Sequence, residues 1–331
     1  MKTATICNKI FTECRIHTAE ENQYTAYNFA VNEAETNLRK HTFTRVSIRS
    51  FDGLALNGFI KKAENEKRII LAVHGYKSSC FKDFALVSEC LFSSDCTVLF
   101  IDQRAHGKSE GDFTSFGIYE RYDCLAWLDH LLRNTDPHIP VYLYGISMGA
   151  TSLLMASEKI FSPRVKGIIA DSPFTSPVEI ISHTLNRKIN KKINKEKLIE
   201  NIDRQIMKRF GFSMYDFSVN EALESVSRPV LLFHGTNDRL TPFSMTDKIF
   251  TSCHSEKKLV IFENSKHLHG CFDYRNKYFE SLINFFEKND TKEFSENDSG
   301  STLQFPEKLN SEKNLRKQLF AKLHLKNNHP A

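Results

Sequence analysis

Apolar and polar positions alternate in the segment 44–61 and then give way to continuous apolar runs. The segment reads T-R-V-S-I-R-S, turns at Asp52 and Gly53, and alternates again as L-A-L-N-G-F-I-K. Two alternating runs around an Asp-Gly turn predict a β-hairpin. The runs 68–73 (R-I-I-L-A-V) and 97–102 (T-V-L-F-I-D) contain few polar residues, which indicates strands that are buried on both faces.

Helical spacing and further apolar runs alternate over the chain as far as residue 288. Apolar side chains recur three and four positions apart in three segments, 81–93, 118–134 and 274–287. Further strands are predicted at 141–144, 165–171, 228–234 and 258–262. Because strands alternate with helices, we expect an α/β fold: a mostly parallel sheet of roughly eight strands with helices on both faces.

One long insertion interrupts this alternation at about 173–227, where the pattern is mainly helical. Because it lies between the predicted strands 165–171 and 228–234, we expect it to form a helical cap over an active site at the carboxyl end of the sheet. Between residues 187 and 209 it has nine basic and three acidic side chains. A positive cap would favour an anionic substrate or an acidic partner, whereas an ordinary solvated helix surface explains the same charges.

The two ends of the chain differ from the central domain, which we place at 44–288. Residues 1–43 are mixed and polar, and a short helix is predicted around 24–38. Residues 289–331 form a predicted linker followed by a tail. Within the tail, 314–326 have apolar residues on one helical face and basic residues opposite. We expect this tail to dock on its own domain or to be disordered, rather than to bind an anionic membrane.

Composition excludes several classes of protein. A net charge of +5 over 331 residues does not indicate a nucleic-acid binder. The eight cysteines form no C-x-x-C pair, so their spacing predicts neither zinc nor a disulfide framework. The first 16 residues contain no continuous apolar run, and no stretch approaches the length of a membrane span. We therefore expect a reduced, cytoplasmic protein.

The segment 141–150 contains the strongest chemical motif of the sequence. It reads V-Y-L-Y-G-I-S-M-G-A, a short β-type run, then G-x-S-x-G, then the start of a helix. Small residues on both sides allow a sharp turn that presents the serine at the carboxyl end of the sheet. Ser147 is therefore the candidate nucleophile.

A serine hydroxyl reacts only when a base takes its proton and a third group orients that base. In this kind of sheet the acid and then the histidine follow the serine along the chain. Asp171 ends the next strand, but Asp238 follows the strand beside the histidine-bearing loop, and we favour Asp238. That loop contains His267 and His269. We favour His267 as the base, because His269 precedes a glycine and could line the pocket instead.

Two backbone N–H groups are predicted to stabilise the negative charge of the reacting oxygen. One belongs to Met148, which follows the nucleophile at the start of a helix. The other belongs to Tyr76, which follows His74 and Gly75 at the end of an earlier strand. The glycine allows the backbone to approach the substrate closely.

Taken together, these motifs resemble the α/β-hydrolase superfamily over residues 44–288. The matching motifs are H-G-Y at 74–76, D-Q-R-A-H-G-K-S at 102–109, G-I-S-M-G at 145–149, D-S-P at 171–173, H-G-T-N-D at 234–238, and His267. The chain is similar to bacterial serine aminopeptidase-like and prolyl-oligopeptidase-like enzymes. The resemblance implies Ser147 as nucleophile, Asp238 as acid and His267 as base, with the Tyr76 and Met148 N–H groups as oxyanion donors. Ala105 is a departure, because relatives usually have glycine there.

The expected activity is that of a serine hydrolase that needs no cofactor or metal and acts on a small-molecule ester, or on a thioester or amide. Peptidase action is the alternative within the same mechanism. An aminopeptidase would need an anionic group to hold the substrate amine, and the basic cap argues weakly against that. A non-catalytic binding protein on the same scaffold is the alternative of another class. The sequence predicts no oligomeric state.

Overall fold

A computed structural model of the chain describes residues 3–15, 25–160, 162–188 and 193–294. Eight strands form one sheet in the spatial order β1-β2-β4-β3-β5-β6-β7-β8. The strands are β1 (Thr44–Arg49), β2 (Ala55–Lys61), β3 (Arg68–Val73), β4 (Cys96–Ile101), β5 (Val141–Ile146), β6 (Val165–Asp171), β7 (Val230–Gly235) and β8 (Lys257–Phe262). The β1–β2 and β2–β4 pairs are antiparallel and all other pairs are parallel. The predicted hairpin and the mostly parallel sheet are confirmed.

Helices connect the strands and cover both faces of the sheet. They are α1 (Thr3–Cys7), α2 (Ala26–Leu38), α3 (Cys80–Ser93), α4 (Glu120–Asn134), α5 (Met148–Ala156), α6 (Pro177–Lys188), α7 (Lys195–Phe210), α8 (Val219–Leu223), α9 (Phe243–Ser252), α10 (Gly270–Asp273) and α11 (Arg275–Asn289). The predicted helices begin and end within a few residues of these bounds.

Alternate residues of the central strands pack into two separate apolar clusters. Ile69 and Leu71 of β3 face one cluster, which includes Trp127 of α4. Ile70 faces the other, which includes Phe84 of α3. Every residue of β3 is buried, as expected for a strand with helices on both sides. The continuous apolar runs of the sequence therefore correspond to strands at the centre of the sheet.

The helices α6, α7 and α8 lie between β6 and β7 in the chain, where the cap was predicted. Ile202 and Ile206 of α7 lie one helical turn apart and are fully buried. They belong to a third apolar cluster, the cap cluster, which also contains Met148 beside the candidate nucleophile. Ile202 and Ile206 of α7 therefore pack in the same cluster as Met148, at the end of β5 where the candidate nucleophile lies.

Residues 3–15, called here the N-terminal segment, also belong to this region. They consist of α1, a single π-helical turn (Asn8–Thr12) and a short extension. Ile6, Cys7 and Phe11 are buried in the cap cluster. The segment therefore covers part of the predicted site rather than extending away from the domain.

Several sequence predictions fall on residues that the structure does not describe. The amphipathic tail at 314–326 and most of the predicted linker lie outside the described residues, as do the cap residues 189–192. Within the described ranges, no helix is long and apolar enough to cross a membrane. All eight cysteines are buried and unpaired with one another.

Candidate active site

The chain turns sharply between β5 and α5, and Ser147 lies at the apex of that turn. Its backbone angles are φ 52° and ψ −115°, in a region that non-glycine residues rarely occupy. A Cβ atom on Gly149 would lie 2.1 Å from the carbonyl oxygen of Val73, and one on Gly145 would lie 2.5 Å from the Ala150 nitrogen. The G-x-S-x-G spacing is therefore required by the close approach of helix and strands.

The structure brings three of the predicted site residues together in one chain of contacts. The Nε2 atom of His267 lies 3.2 Å from Ser147 Oγ, and its Nδ1 atom lies 2.6 Å from Asp238 Oδ2. Asp238 follows β7 and His267 follows β8, and these strands are parallel neighbours in the sheet. Their carboxyl ends therefore meet beside the turn that presents the serine.

Asp238 is held in place by its own loop and by a neighbouring imidazole. Its Oδ1 atom accepts hydrogen bonds from the N–H groups of Leu240 (2.8 Å) and Thr241 (2.9 Å). The Thr241 hydroxyl donates to its Oδ2 atom, and His234 Nε2 lies 3.3 Å from the same oxygen. Burial alone would raise the pKa of Asp238, but His267 and His234 together hold it well below its ordinary value. The carboxylate is therefore ionised at neutral pH.

The imidazole of His267 faces negative charge on more than one side. Burial lowers its pKa, but Asp238 outweighs that effect, and Asp171 and Asp83 act in the same direction, so the pKa is raised. Its side chain is 16% exposed. The ring is thus positioned to become positively charged when it takes a proton from a neighbouring hydroxyl.

The two alternative candidates make other contacts. Asp171 accepts hydrogen bonds from the Tyr278 hydroxyl (2.7 Å) and from Ser172 Oγ (2.9 Å). The ring of His269 stacks on Tyr27, with ring centroids 3.8 Å apart. Asp171 therefore bonds to residues other than His267 and affects that ring through its negative charge. His269 stacks on Tyr27 instead of facing Ser147.

The loop that carries the predicted oxyanion donor Tyr76 is held by Asp83, a residue that the sequence analysis did not identify. Asp83 Oδ2 accepts a 2.6 Å hydrogen bond from the N–H of Gly75, and Oδ1 accepts one from Ser78 Oγ. A carboxylate in the first turn of a helix, behind the Ser79 N-cap of α3, is the available sequence signal. It indicates helix capping and does not reveal the contact with Gly75.

His106 holds the other side of the same loop. Its Nε2 atom accepts a 3.1 Å hydrogen bond from the N–H of Lys77, whose φ is 53°. The N–H of Tyr76, between these two anchored residues, donates to no acceptor among the described residues. The N–H of Met148 is the first of α5 and so has no intrahelical acceptor. Both groups are available to a ligand beside Ser147.

The loop after β4 has a structural role. Asp102 Oδ2 accepts a hydrogen bond from the Lys108 N–H (3.0 Å), and the Ser109 hydroxyl donates to the Asp102 carbonyl (2.6 Å). Ala105 adopts φ 61°, the left-handed region that glycine occupies without strain. The resemblance implied a glycine there, so this chain accepts a local backbone strain of about 1–2 kcal/mol.

The Cys271 thiol and the potential metal ligands, the alternative reactive groups near Ser147, give no second site among the described residues. Cys271 is buried, and burial raises the pKa of its thiol far above the ordinary range, so the thiolate is not formed at neutral pH. In the part of the chain that the structure describes, no three His, Cys, Asp or Glu side chains are grouped as metal ligands would be.

Comparison with known proteins finds one family whose profile matches part of the chain, and several relatives of low sequence identity. The sequence profile of the family described as "Serine aminopeptidase, S33" matches residues 64–209. The uncharacterized protein YqkD of Bacillus subtilis is 25% identical over 251 residues, which are 76% of this chain and 81% of that protein. The lysophosphatidylserine lipase ABHD12 of Xenopus tropicalis is 24% identical over 243 residues, 72% of this chain and 60% of that protein.

Solved structures show the same architecture. The esterase Pf2001 of Pyrococcus furiosus superposes with a TM-score of 0.64 at 18% identity, covering 84% of this chain and 98% of that chain. At this identity the likeness establishes the fold. The α/β-hydrolase resemblance predicted from the sequence motifs, and the fold class predicted from the hydrophobic pattern, are both confirmed.

Proposed function

We propose that this chain, an α/β-hydrolase by fold and by sequence motif, is a serine hydrolase that cleaves carboxylic esters through an acyl-enzyme. The observation that carries the proposal is the position of His267, whose two ring nitrogens face Ser147 Oγ at 3.2 Å and Asp238 Oδ2 at 2.6 Å. A hydroxyl in contact with a base, itself oriented by a carboxylate, is the arrangement that activates a serine.

In the first half of the reaction Ser147 Oγ attacks the ester carbonyl. Its proton passes to Nε2 of His267, and a bond forms between the serine oxygen and the carbonyl carbon. When the tetrahedral intermediate collapses, the bond from carbon to the alcohol oxygen breaks and His267 donates the proton to the leaving alcohol. Asp238 keeps Nδ1 protonated and stabilises the positively charged ring.

The second half repeats these steps with water in place of the serine. His267 takes a proton from a water molecule, and the water oxygen attacks the acyl carbon. The bond to Ser147 Oγ then breaks, the proton returns to that oxygen, and a carboxylic acid leaves. In both halves the carbonyl oxygen becomes negatively charged. We assign the N–H groups of Tyr76 and Met148 as its donors; removing one such donor typically costs about 10²–10³-fold in kcat.

Esters are favoured over peptides as the substrate class. The comparison proteins include an esterase from Pyrococcus furiosus and a lipase that acts on lysophosphatidylserine, both of which cleave esters by name. The matching family description names an aminopeptidase, and amide hydrolysis is the second candidate. An aminopeptidase needs negative charge to hold the substrate amine, whereas residues 187–209 of the cap carry nine basic and three acidic side chains.

A labelling experiment tests the mechanism separately from the substrate class. A fluorophosphonate probe should modify wild-type protein at Ser147, as mapped by peptide mass spectrometry, and should leave Ser147→Ala unmodified. A folded wild-type protein that the probe does not label would refute the serine mechanism and would favour a binding protein on the same scaffold.

Kinetics on paired substrates then separate ester from amide hydrolysis. We expect turnover of p-nitrophenyl esters with kcat/KM at least 100-fold above that of aminoacyl p-nitroanilides. Ser147→Ala is the control for contaminating activity. Faster turnover of the anilides would overturn the ester assignment and leave the mechanism at Ser147 intact.

A further inference from the structure

The N-terminal segment is bonded directly to the loop that carries the proposed oxyanion donor. The hydroxyl of Tyr76 donates a 2.7 Å hydrogen bond to the carbonyl oxygen of Ile10. The ammonium group of Lys77 donates to the carbonyl oxygen of Lys9 at 3.0 Å. Both contacts join side chains of the oxyanion loop to main-chain oxygens of the segment. The segment is therefore fixed in position beside the site.

The same segment is also attached to the cap and to the loop after β4. Arg209 of α7 donates a 2.7 Å hydrogen bond to Asn8 Oδ1. The Thr114 N–H donates to the carbonyl oxygen of Phe11 at 2.9 Å, and Arg15 donates to the carbonyl oxygen of Ser109 at 2.6 Å. The segment is thus bonded both to the cap helix α7 and to the loop after β4.

Phe11 is the apolar side chain of the segment that packs most deeply among the cap residues and the loop after β4. Its side chain is fully buried, and its ring packs edge-on against Phe116 with centroids 5.5 Å apart. The Phe116 ring in turn lies 4.9 Å from the ring of Tyr76. The side chains of Tyr76 and Met148, whose N–H groups we assign to the oxyanion, both pack in the cluster that contains Phe11.

We propose that the N-terminal segment forms the wall of the acyl-binding pocket and that Phe11 limits the length of the acyl chain, so that the substrates are esters of short acyl groups. The inference rests on the proposed function. The substrate carbonyl oxygen must reach the N–H groups of Tyr76 and Met148, so the acyl chain on the same carbon begins beside the cap cluster. A chain of more than a few carbons would need the space that Phe11 occupies.

The size of the effect follows from the burial of methylene groups. Each methylene that moves from water into an apolar pocket improves binding about fourfold. If Phe11 closes the pocket, extra methylenes do not improve binding to the wild-type protein. In a variant without the Phe11 ring, each of them improves binding about fourfold. Two additional methylenes, at about fourfold each, should therefore change the relative rates by about tenfold or more.

The test is a chain-length series of p-nitrophenyl esters, from acetate to octanoate, on the full-length chain. The quantity compared is the ratio of kcat/KM for octanoate to that for acetate, which does not depend on the fraction of active enzyme. Phe11→Ala should raise this ratio about tenfold or more, and Phe11→Leu should raise it by less. Phe29→Ala is the matched control, because Phe29 of α2 is 74% exposed, and its ratio should equal that of the wild type.

Two results would overturn the inference. One is a ratio for Phe11→Ala within twofold of the wild-type ratio, with Phe11→Leu deciding if the alanine variant does not fold. The other is a wild-type protein that already prefers octanoate to acetate. Either result leaves the serine mechanism in place, because that mechanism is judged by labelling of Ser147 and not by chain length.

Discussion

The carboxylate of Asp83 accepts a 2.6 Å hydrogen bond from the N–H of Gly75, the residue that precedes the proposed oxyanion donor Tyr76. The same carboxylate accepts a hydrogen bond from Ser78 Oγ, so one side chain holds both ends of a four-residue loop. A Cβ atom on Gly75 would lie 3.2 Å from Ser147 Cβ. Small movements of this loop would therefore change the position of the donor relative to the nucleophile.

We predict that Asp83→Ala lowers kcat for p-nitrophenyl acetate by about 10- to 100-fold and changes KM little. The loop would lose its anchor, and a displacement of about 1 Å in a catalytic group can cost about 100-fold. Asp83→Asn keeps an oxygen that can accept from the Gly75 N–H and should recover most of kcat. Steady-state kinetics on the three proteins measures the effect.

Asp247→Ala is the matched control for this prediction, because Asp247 lies exposed on α9. It should have wild-type kcat and KM. An Asp83→Ala enzyme with unchanged kcat, or one whose loss appears only in KM, would show that the carboxylate does not position the oxyanion loop.

A second prediction concerns the choice between two carboxylates. Asp238→Asn should lower kcat/KM by about 10³–10⁴-fold, because an amide cannot hold His267 in the tautomer and charge state that catalysis needs. Asp171→Asn should lower it by less than about tenfold, because Asp171 bonds to Tyr278 and Ser172. The comparison uses p-nitrophenyl acetate, with circular dichroism to verify folding. A larger loss from Asp171→Asn would reverse the assignment of the acid.

A third prediction concerns the turn that presents Ser147. In Gly149→Ala the new methyl group would lie 2.1 Å from the carbonyl oxygen of Val73, and the backbone of helix or strand would have to move. We expect a loss of about 3 kcal/mol or more in the free energy of unfolding. Gly75→Ala is the comparison, because its contacts are 3.2 Å or longer and should cost about 1 kcal/mol. Denaturant unfolding of both variants measures the difference, and equal losses would refute the crowding argument.

Much of the fold could be predicted because its central strands have an unmistakable sequence pattern. Runs such as 68–73 and 97–102 are buried on both faces, so they are continuously apolar and end at polar residues. In a parallel sheet those ends lie at one edge, and this rule, with the G-x-S-x-G motif and the expected chain order of serine, acid and histidine, predicted that Ser147, Asp238 and His267 lie near one another. The roles assigned to these residues stay predictions until the variants above are measured.

What the sequence did not reveal depends on contacts between distant segments. The contact between Asp83 and Gly75 joins the loop after β3 to the first turn of α3, and within that loop Lys77 takes a positive φ of 53°, which a lysine does not predict. The N-terminal segment offered only Ile6, Ile10 and Phe11 within a mixed polar stretch. Their partners lie in the oxyanion loop, in the loop near residue 114 and in the cap, about 60 to 200 positions away along the chain. The apolar pattern within a short segment predicts that the segment is buried, but it does not predict which distant residues it packs against.

The last prediction concerns pH. The candidate base must be neutral to take the serine proton, and nearby carboxylates hold the pKa of His267 above its ordinary value of about 6.5 despite its burial. Activity should therefore rise with pH through a midpoint above about 6.5. Protonated His267 stabilises the fold below about pH 6.5, and that contribution is lost as pH rises through the folded-state pKa, so stability from this group and activity change in opposite directions.

A profile of kcat/KM from about pH 5 to about pH 9 gives the midpoint. Asp83→Asn removes one negative charge and should move the midpoint to lower pH, while the exposed control Asp247→Asn should not. A wild-type midpoint at or below 6.5 would contradict the electrostatic account of this site.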